Sequence, residues 1–207
     1  MGVCLGTKRI RFEDEDGFED YEMSPESMVR GAVVDEGLVD ETAMEDIAQK
    51  HYKKAKIYEQ GNSKVEKNPG KAAEHFGKAA ELGHVKAQIR LAYLYEKGIG
   101  VEKDTRLAVQ WYKKAADSDP KAQFSLGLCY TKGVGTSQDH KKAVEYFKRS
   151  AESGYDRALY NLGYCYEQGT GVHRNIDTAI RYYIDASSQG NEHAKKRLEL
   201  FGVDVPV

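Results

Sequence analysis

Residues 158–190 read ALYNLGYCYEQGTGVHRNIDTAIRYYIDASSQG, and this stretch decides the fold because its order of residue types recurs along the chain. The same order begins at Ala122, 36 residues upstream, and at Ala87, a further 35 residues upstream. A looser copy begins at Ala55. Self-similarity at a period of 35 to 36 residues is typical of stacked helical repeats, in which no single unit buries its apolar face alone. The sequence therefore predicts a repeat array.

Each complete copy predicts two helices joined by a short turn, which we name the A helix and the B helix. In the copy that begins at Ala87, helical periodicity runs to Lys97, and Gly98 follows where a helix C-cap favours a positive φ. Asp104 then precedes the B helix, where its carboxylate can accept hydrogen bonds from the open backbone amides. Equivalent capping residues are predicted in the other copies at Asn68, Asp139 and Asn175.

These repeats define the predicted organisation of the whole chain. We expect an all-α fold, a right-handed α-solenoid of helix-turn-helix repeats, preceded by a disordered acidic leader. The leader covers residues 1–41 and the array covers residues 42–202. The units are 42–83, 84–119, 120–155 and 156–191, with a capping helix at 192–202. Two aromatic positions recur in the B helices and are expected to fill the core between helices.

The repeat at residues 158–190 closely resembles the Sel-one-like repeat, a relative of the tetratricopeptide repeat, and the resemblance covers residues 50–201. The residues that carry it are Ala158, Leu162, Gly163, Tyr166, Gly169, Thr170, Gly171, Val172, Ala179, Tyr182, Tyr183, Ala186 and Gly190. The resemblance implies that the A helices line a concave, partner-binding surface. Asn161 matches a position that is often Asn in this family and can hold an extended peptide by its backbone. Arg90 and Ser125 depart from that pattern.

The polar face of each A helix is the predicted partner-binding groove. Following the helical spacing i, i+3 and i+7, its candidate residues are Arg90, Tyr93, Lys97, Ser125, Leu128, Lys132, Asn161, Tyr164 and Gln168. An ordinary solvated helix face would show the same residue types, so both interpretations stay open at this point. The predicted ligand is a protein partner, bound through an acidic or extended segment.

The formal net charge of −2 conceals a division of charge along the chain. Residues 13–46 carry a balance of −13, whereas residues 47–207 carry a balance of +8. The leader alternates acidic residues with aromatic ones such as Phe18 and Tyr21, and such a composition buries too little apolar area to offset its ordering entropy. A solubilising tail and a docking motif are both open as roles for the leader.

The N-terminus, MGVCLGT, partly matches an acylation signal. Removal of Met1 would expose Gly2 for myristoylation, and Cys4 lies close enough for palmitoylation. Gly6 stands where the signal prefers Ser or Thr, so an ordinary start of translation is the competing interpretation. Acylation would place the protein at the cytoplasmic face of a membrane. The alternative function is therefore a membrane-tethered regulatory subunit that positions or activates an enzyme complex, a role that the family resemblance includes.

No residue pattern predicts catalysis, a metal site or a cofactor. The six histidines show no zinc-ligand spacing, and the glycine-rich turns are not followed by the Lys-Ser or Lys-Thr of a phosphate-binding loop. Cys129 and Cys165 occupy equivalent core positions on stacked helices, too far apart for a disulfide. Three cysteines and no long apolar run indicate a soluble protein of the reducing cytoplasm. We predict a monomeric, non-enzymatic adaptor or scaffold that binds protein and no nucleic acid.

Overall fold

The structure, a computed structural model, describes residues 9–14, 17–22 and 41–203. Within the last of these ranges the chain forms nine helices. They are α1 (Glu41–Gln60), α2 (Pro69–Glu81), α3 (Val85–Lys97), α4 (Thr105–Ala115), α5 (Pro120–Lys132), α6 (His140–Glu152), α7 (Asp156–Gln168), α8 (Ile176–Ser188) and α9 (Glu192–Leu200). Odd-numbered helices are A helices and even-numbered helices are B helices. The predicted α-solenoid is confirmed, because each unit packs as a helix pair against the next unit.

The described part of the leader forms a β-hairpin. Strand β1 (Arg9–Asp14) pairs antiparallel with β2 (Gly17–Glu22), in a register that places Ile10 opposite Tyr21. The acidic composition of these two segments predicted no regular structure, so the structure differs there. A physical reason lies in their composition, since Ile10, Phe12 and Tyr21 are residue types that favour strands even between acidic neighbours.

The remaining leader residues, 1–8, 15–16 and 23–40, lie outside the described residues. The predicted acylation of Gly2 and Cys4 falls on them and stays a prediction. None of the helices in the described part of the chain is both long enough and apolar enough to cross a membrane.

The predicted capping residues begin the B helices. The Asp104 carboxylate accepts hydrogen bonds from the backbone amides of Arg106 and Leu107, each at 2.9 Å. The side chains that cap α2, α6 and α8 in the same way are Asn68, Asp139 and Asn175. At the other end of an A helix, Gly98 adopts the left-handed conformation with a φ of 71°. Both sequence predictions are confirmed, and they fix where each helix starts and stops.

Close approach of the two helices within a unit depends on glycine. Gly127 and Gly163 lie on A helices against the rings of Phe147 and Tyr183, which come from the B helices. A Cβ atom at Gly163 would lie 2.6 Å from Tyr183 Cε1, closer than real contacts allow. These two positions therefore set the spacing of the two helices in the third and fourth units.

One of the two aromatic columns is fully buried. Its members are Phe76, Tyr112, Phe147 and Tyr183, none of which is more than 3% exposed. The prediction that this column forms core is confirmed. Cys129 and Cys165 are buried and free, as expected from their positions on stacked A helices.

Candidate functional site

A groove runs along one side of the array, with a volume of about 1090 Å³. Side chains of α1, α3 and α5 line it, and Tyr155 and Arg157 complete it at the start of α7. Ile89, Phe124 and Leu128 add apolar surface to its lining. We call this surface the groove. Its volume lies at the upper end of the range of about 300–1,000 Å³ that is usual for small-molecule sites.

Six of the nine predicted site residues lie in the lining of the groove. They are Arg90, Tyr93, Lys97, Ser125, Leu128 and Lys132. The other three, Asn161, Tyr164 and Gln168, lie on α7 beyond the groove. The Asn161 amide donates a hydrogen bond to the backbone carbonyl of Arg157 at 2.8 Å, so it is bonded to its own helix. Partner binding by these nine residues stays a prediction.

Sequence reasoning missed groove residues on both sides of the predicted stripe. Lys86 and Lys121 lie four residues before Arg90 and Ser125, so a wider helical stripe would have found them. Glu59 and its neighbours on α1 were missed for a different reason. The first copy of the repeat is loose, and its A helix carries few of the residues that align the other copies.

Positive charge dominates the groove. The lining contains six lysines and two arginines against three carboxylates. Each carboxylate already has a partner within the chain: Glu59 pairs with Arg90, Glu96 accepts from Lys97 at 2.6 Å, and Asp119 caps α5. The groove therefore presents an excess of cations to any ligand that enters it.

Five of these cations are exposed and form no ion pair among residues 41–203. They are Lys67, Lys86, Lys121, Lys132 and Arg157. They come from four different units, so they are distributed along the groove instead of being gathered at one end. An anionic ligand would meet them without displacing an ion-pair partner that belongs to residues 41–203.

An aromatic ring organises two further cations. The guanidinium carbon of Arg90 lies 4.8 Å from the centre of the Tyr93 ring, and Lys97 Nζ lies 5.8 Å from it. Attraction between a cation and an aromatic face holds both side chains at the groove surface. Tyr93 therefore offers an apolar face that is flanked by positive charge.

Two half-buried glutamates join consecutive A helices. Glu59 on α1 pairs with Arg90 on α3, and Glu167 on α7 accepts from Arg197 Nε on α9 at 2.9 Å. Burial raises the pKa of each carboxyl, but the hydrogen bonds and charges of the neighbouring groups outweigh it, so both pKa values lie below the ordinary 4.5. Both carboxylates are therefore ionised at neutral pH.

The two core cysteines are poor nucleophiles. Burial, with a smaller contribution from Glu96, raises the pKa of Cys129 to about 12, and burial raises the pKa of Cys165 to about 11. Both stay protonated at neutral pH, and the thiolate is the reactive form. Among the residues that the structure describes, no three His, Cys, Asp or Glu side chains come together as metal ligands do. The predictions of no enzyme and no cofactor stay predictions.

Helix pairs that stack unit on unit and leave a groove along their A helices define a helical-repeat protein of the solenoid class. Four consecutive stretches, residues 51–84, 85–119, 120–155 and 156–191, match the model of the Sel1 repeat. The chain belongs to the Sel1 repeat family, as its sequence pattern indicated. Sel1 repeat proteins generally act as protein-interaction scaffolds.

Solved structures and a known relative share the repeat. The chain is similar to c5321, a protective antigen of uropathogenic Escherichia coli with an SLR fold, at 34% identity and a TM-score of 0.71, covering 78% of this chain and 36% of that one. It is similar to a Sel1 repeat protein from Oxalobacter formigenes at 31% identity and a TM-score of 0.69, covering 73% and 62%. Over 50 residues it is 44% identical to protein sel-1 homolog 2 of Mus musculus, covering 24% of this chain and 7% of that protein.

Proposed function

We propose that this protein is an interaction adaptor that binds an extended, acidic segment of a partner protein in the groove. One observation carries the proposal. The groove is lined by six lysines and two arginines, while its three carboxylates are already engaged within the chain. A ligand rich in carboxylates would balance this charge.

The dimensions of the groove support an extended ligand. Packed helices lie about 8–10 Å apart, so a segment that crosses from α1 to α5 spans two such spacings. An extended chain rises about 3.3 Å per residue, and roughly six residues would make the crossing. A carboxylate near the middle of such a segment would lie over α3, where Lys86 is exposed, and one near its end would lie over α5, where Lys121 is exposed.

Apolar surface in the groove supports a mixed ligand over a purely acidic one. Phe124 contacts Tyr155 with ring centres 5.3 Å apart, and both residues belong to the lining. Together with Tyr93 they offer aromatic surface between the cations. Aromatic and aliphatic anchors carry most of the affinity at protein interfaces, while exposed charges mainly direct association. The proposed ligand therefore alternates carboxylates with apolar side chains.

Binding of the full chain to two labelled peptides tests this proposal by fluorescence anisotropy. One nine-residue peptide alternates Glu or Asp with Leu and Phe, and its counterpart carries Gln and Asn in place of the acids. We expect the acidic peptide to bind at least about tenfold more tightly at 0.05 M salt. The difference should shrink as salt rises, because charges are screened over about 10 Å at 0.1 M.

Two triple variants separate the groove from general charge attraction. Lys86→Glu, Lys121→Glu and Lys132→Glu reverse three groove cations, and this triple variant should abolish binding of the acidic peptide. The control reverses three exposed lysines on B helices outside the lining, Lys113, Lys141 and Lys148. It changes the net charge equally and should keep most of the affinity. An equal loss in both triple variants would overturn the proposed site.

A further inference from the structure

We call the place where the last turn of one A helix meets the A helix of the following unit a junction. The same pair of repeat positions recurs at each junction. The first position is in the last turn of an A helix, and its occupants in chain order are Glu59, Glu96, Thr131 and Glu167. The second position is on the A helix of the following unit, and its occupants in chain order are Arg90, Ser125, Asn161 and Arg197. Where glutamate meets arginine, the two form an ion pair. Only the pairing of Glu96 with Ser125 offers a carboxylate without an arginine opposite it.

We call a junction closed when its glutamate pairs with an arginine of the next unit. Glu167, whose side chain is 11% exposed, forms such a junction. Its Oε2 atom accepts from the Tyr183 hydroxyl at 2.7 Å and from Arg197 Nε at 2.9 Å. Its Oε1 atom accepts from Arg197 Nη2, and from Gln168 Nε2 at 3.1 Å. The carboxylate is thus satisfied by three donors. They are a tyrosine of the B helix, the next residue along the A helix and a guanidinium that donates two hydrogen bonds.

Around Glu96 the same arrangement recurs without the guanidinium. Oε2 accepts from the Tyr112 hydroxyl at 3.3 Å, and Oε1 accepts from Lys97, the next residue, at 2.6 Å. Ser125 occupies the position of the arginine and approaches the Tyr112 hydroxyl. Its own hydroxyl donates to the backbone carbonyl of Lys121 at 2.9 Å, so it does not take the arginine's role.

The vacant position opens into the groove. Glu96, Tyr112 and Ser125 all belong to the groove lining, although the Tyr112 side chain is only 3% exposed. A side chain that enters from the groove can therefore reach the carboxylate from the direction that an internal arginine would take. At the other two glutamates that space is filled by the chain itself.

We propose that the partner segment inserts an arginine between α3 and α5, and that its guanidinium pairs with Glu96 beside Ser125, which stands where the other two glutamates have an arginine of this chain. This inference rests on the proposed function, since it names an anchor within the same bound segment. A bidentate guanidinium fits a carboxylate that is already oriented by a tyrosine, whereas an ammonium makes a single-point contact. The partner motif is thus one arginine flanked by acidic residues.

Lys97 does not block the position. Its side chain is 48% exposed, and a pair of this kind contributes little to stability, so it can move aside. The junction at Glu59 shows that one carboxylate holds two cations, because Glu59 accepts from Lys56 at 2.5 Å and also pairs with Arg90. Flanking carboxylates of the partner would neutralise the exposed groove lysines and allow a cationic side chain to enter.

Two labelled peptides test the inference on the full chain by fluorescence anisotropy. Both are nine residues long and acidic, and they differ only at the centre, which is arginine in one and its neutral isostere citrulline in the other. We expect the arginine peptide to bind about tenfold more tightly, as a charge-assisted pair requires. Glu96→Gln should bring the ratio of the two affinities close to one. The control Glu145→Gln, on the exposed face of α6, should leave the ratio unchanged.

A second variant provides a readout that does not depend on a ligand. In Ser125→Arg the chain's own guanidinium should occupy the vacancy, which raises the melting temperature by about 2–4 °C and removes the preference for the arginine peptide. Asn161→Arg faces Thr131 instead of a glutamate, and it should give no such rise. An unchanged melting temperature in Ser125→Arg would contradict an arginine-accepting position at Glu96.

The outcomes distinguish the arginine anchor from the groove itself. Equal, measurable binding of the arginine and citrulline peptides would overturn the anchor and leave the proposed function standing. Absence of binding by both peptides would overturn the proposed function as well. Tighter binding of the arginine peptide that persists in Glu96→Gln would place the guanidinium elsewhere and overturn the assignment to Glu96.

Discussion

The outer junctions of the array differ from the inner ones. At α1–α3 and α7–α9 a glutamate from one unit pairs with an arginine from the next, in the pairs Glu59–Arg90 and Glu167–Arg197. At α3–α5, in the middle of the array, Ser125 stands where those arginines stand. The apolar packing beneath is similar in both regions, since Phe147 rests on Gly127 and Tyr183 rests on Gly163. In α3 the equivalent small residue is Ala92, which is fully buried.

Two layers of the same repeat, the apolar core and the polar surface above it, are therefore specified by different residues. A buried small residue on the A helix, Ala92, Gly127 or Gly163, recurs opposite an aromatic ring of the B helix, because each unit needs this close packing. The polar side chains above them vary from unit to unit, because no helix moves when they change. Stability should therefore respond equally to core changes in inner and outer units, and unequally to changes in the junction.

The largest expected effect tests the shared layer. Gly127→Leu and Gly163→Leu place a branched side chain against Phe147 and Tyr183, and each should cost about 3 kcal/mol of unfolding free energy, the upper end of the usual range for overpacking. Urea denaturation followed by circular dichroism measures both values. A large cost at Gly163 with none at Gly127 would show that inner and outer units pack differently.

A smaller effect should appear at one junction only. Arg197→Ala removes two hydrogen bonds to a half-buried carboxylate. It should cost about 1.5–2 kcal/mol, the lower end of the range for hydrogen bonds to charged groups, because the Arg197 side chain is 31% exposed. The Asn161 side chain, at an inner junction, donates its hydrogen bond to its own helix. Asn161→Ala should therefore cost close to nothing. The same denaturation series compares them, and equal costs would remove the distinction between closed and open junctions.

Helix capping should again be equal in the two regions. Asp104→Ala in an inner unit and Asn175→Ala in an outer unit each remove a side-chain acceptor from the start of a B helix. Each should cost about 1 kcal/mol, the typical value for a lost cap. Substitution of each residue by Ser is the control, because Ser retains the acceptor. Costs that differ severalfold between the two sites would contradict an equal role for the caps.

The smallest effect is the cost of Arg197→Ala in acid. The pKa of Glu167 is lowered in the folded protein, so its contribution is fully present above the ordinary value of 4.5 and is lost as the pH falls through the folded pKa. The stability difference between the wild type and Arg197→Ala should therefore decline as the pH falls below 4.5 and approach zero in stronger acid. Denaturation at pH 7 and at lower pH measures it, and a difference independent of pH would exclude the ion pair as its cause.

The fold could be predicted from the sequence because its determinants are local and recur. Asp104 predicts the start of a helix and Gly98 predicts the end of one, and neither prediction depends on the rest of the chain. The β-hairpin was missed because its acidic composition outweighed the strand propensity of residues such as Phe12 and Tyr21. Composition describes a whole segment, whereas strand pairing depends on a few residues in register.

The candidate site was predicted less completely, because it depends on contacts between units. A single helical stripe found Arg90 and Ser125 as groove residues, but it gave no reason to connect Ser125 with Glu96, which lies on the preceding A helix. In the sequence the exchange of arginine for serine looks like ordinary surface variation. The connection between the two positions becomes visible in the folded chain, where Glu59 pairs with Arg90 and Glu167 pairs with Arg197.

A junction that is closed by one arginine gives such arrays a simple route to new specificities. Duplication of a unit would bring its glutamate or arginine to two new junctions. A change of one residue would then convert a closed junction into an open one, or the reverse. Neither change disturbs Gly127, Gly163 or the rings that rest on them. The order of open and closed junctions along the array would then be inherited. The spacing of arginines in a partner segment would have to match that order.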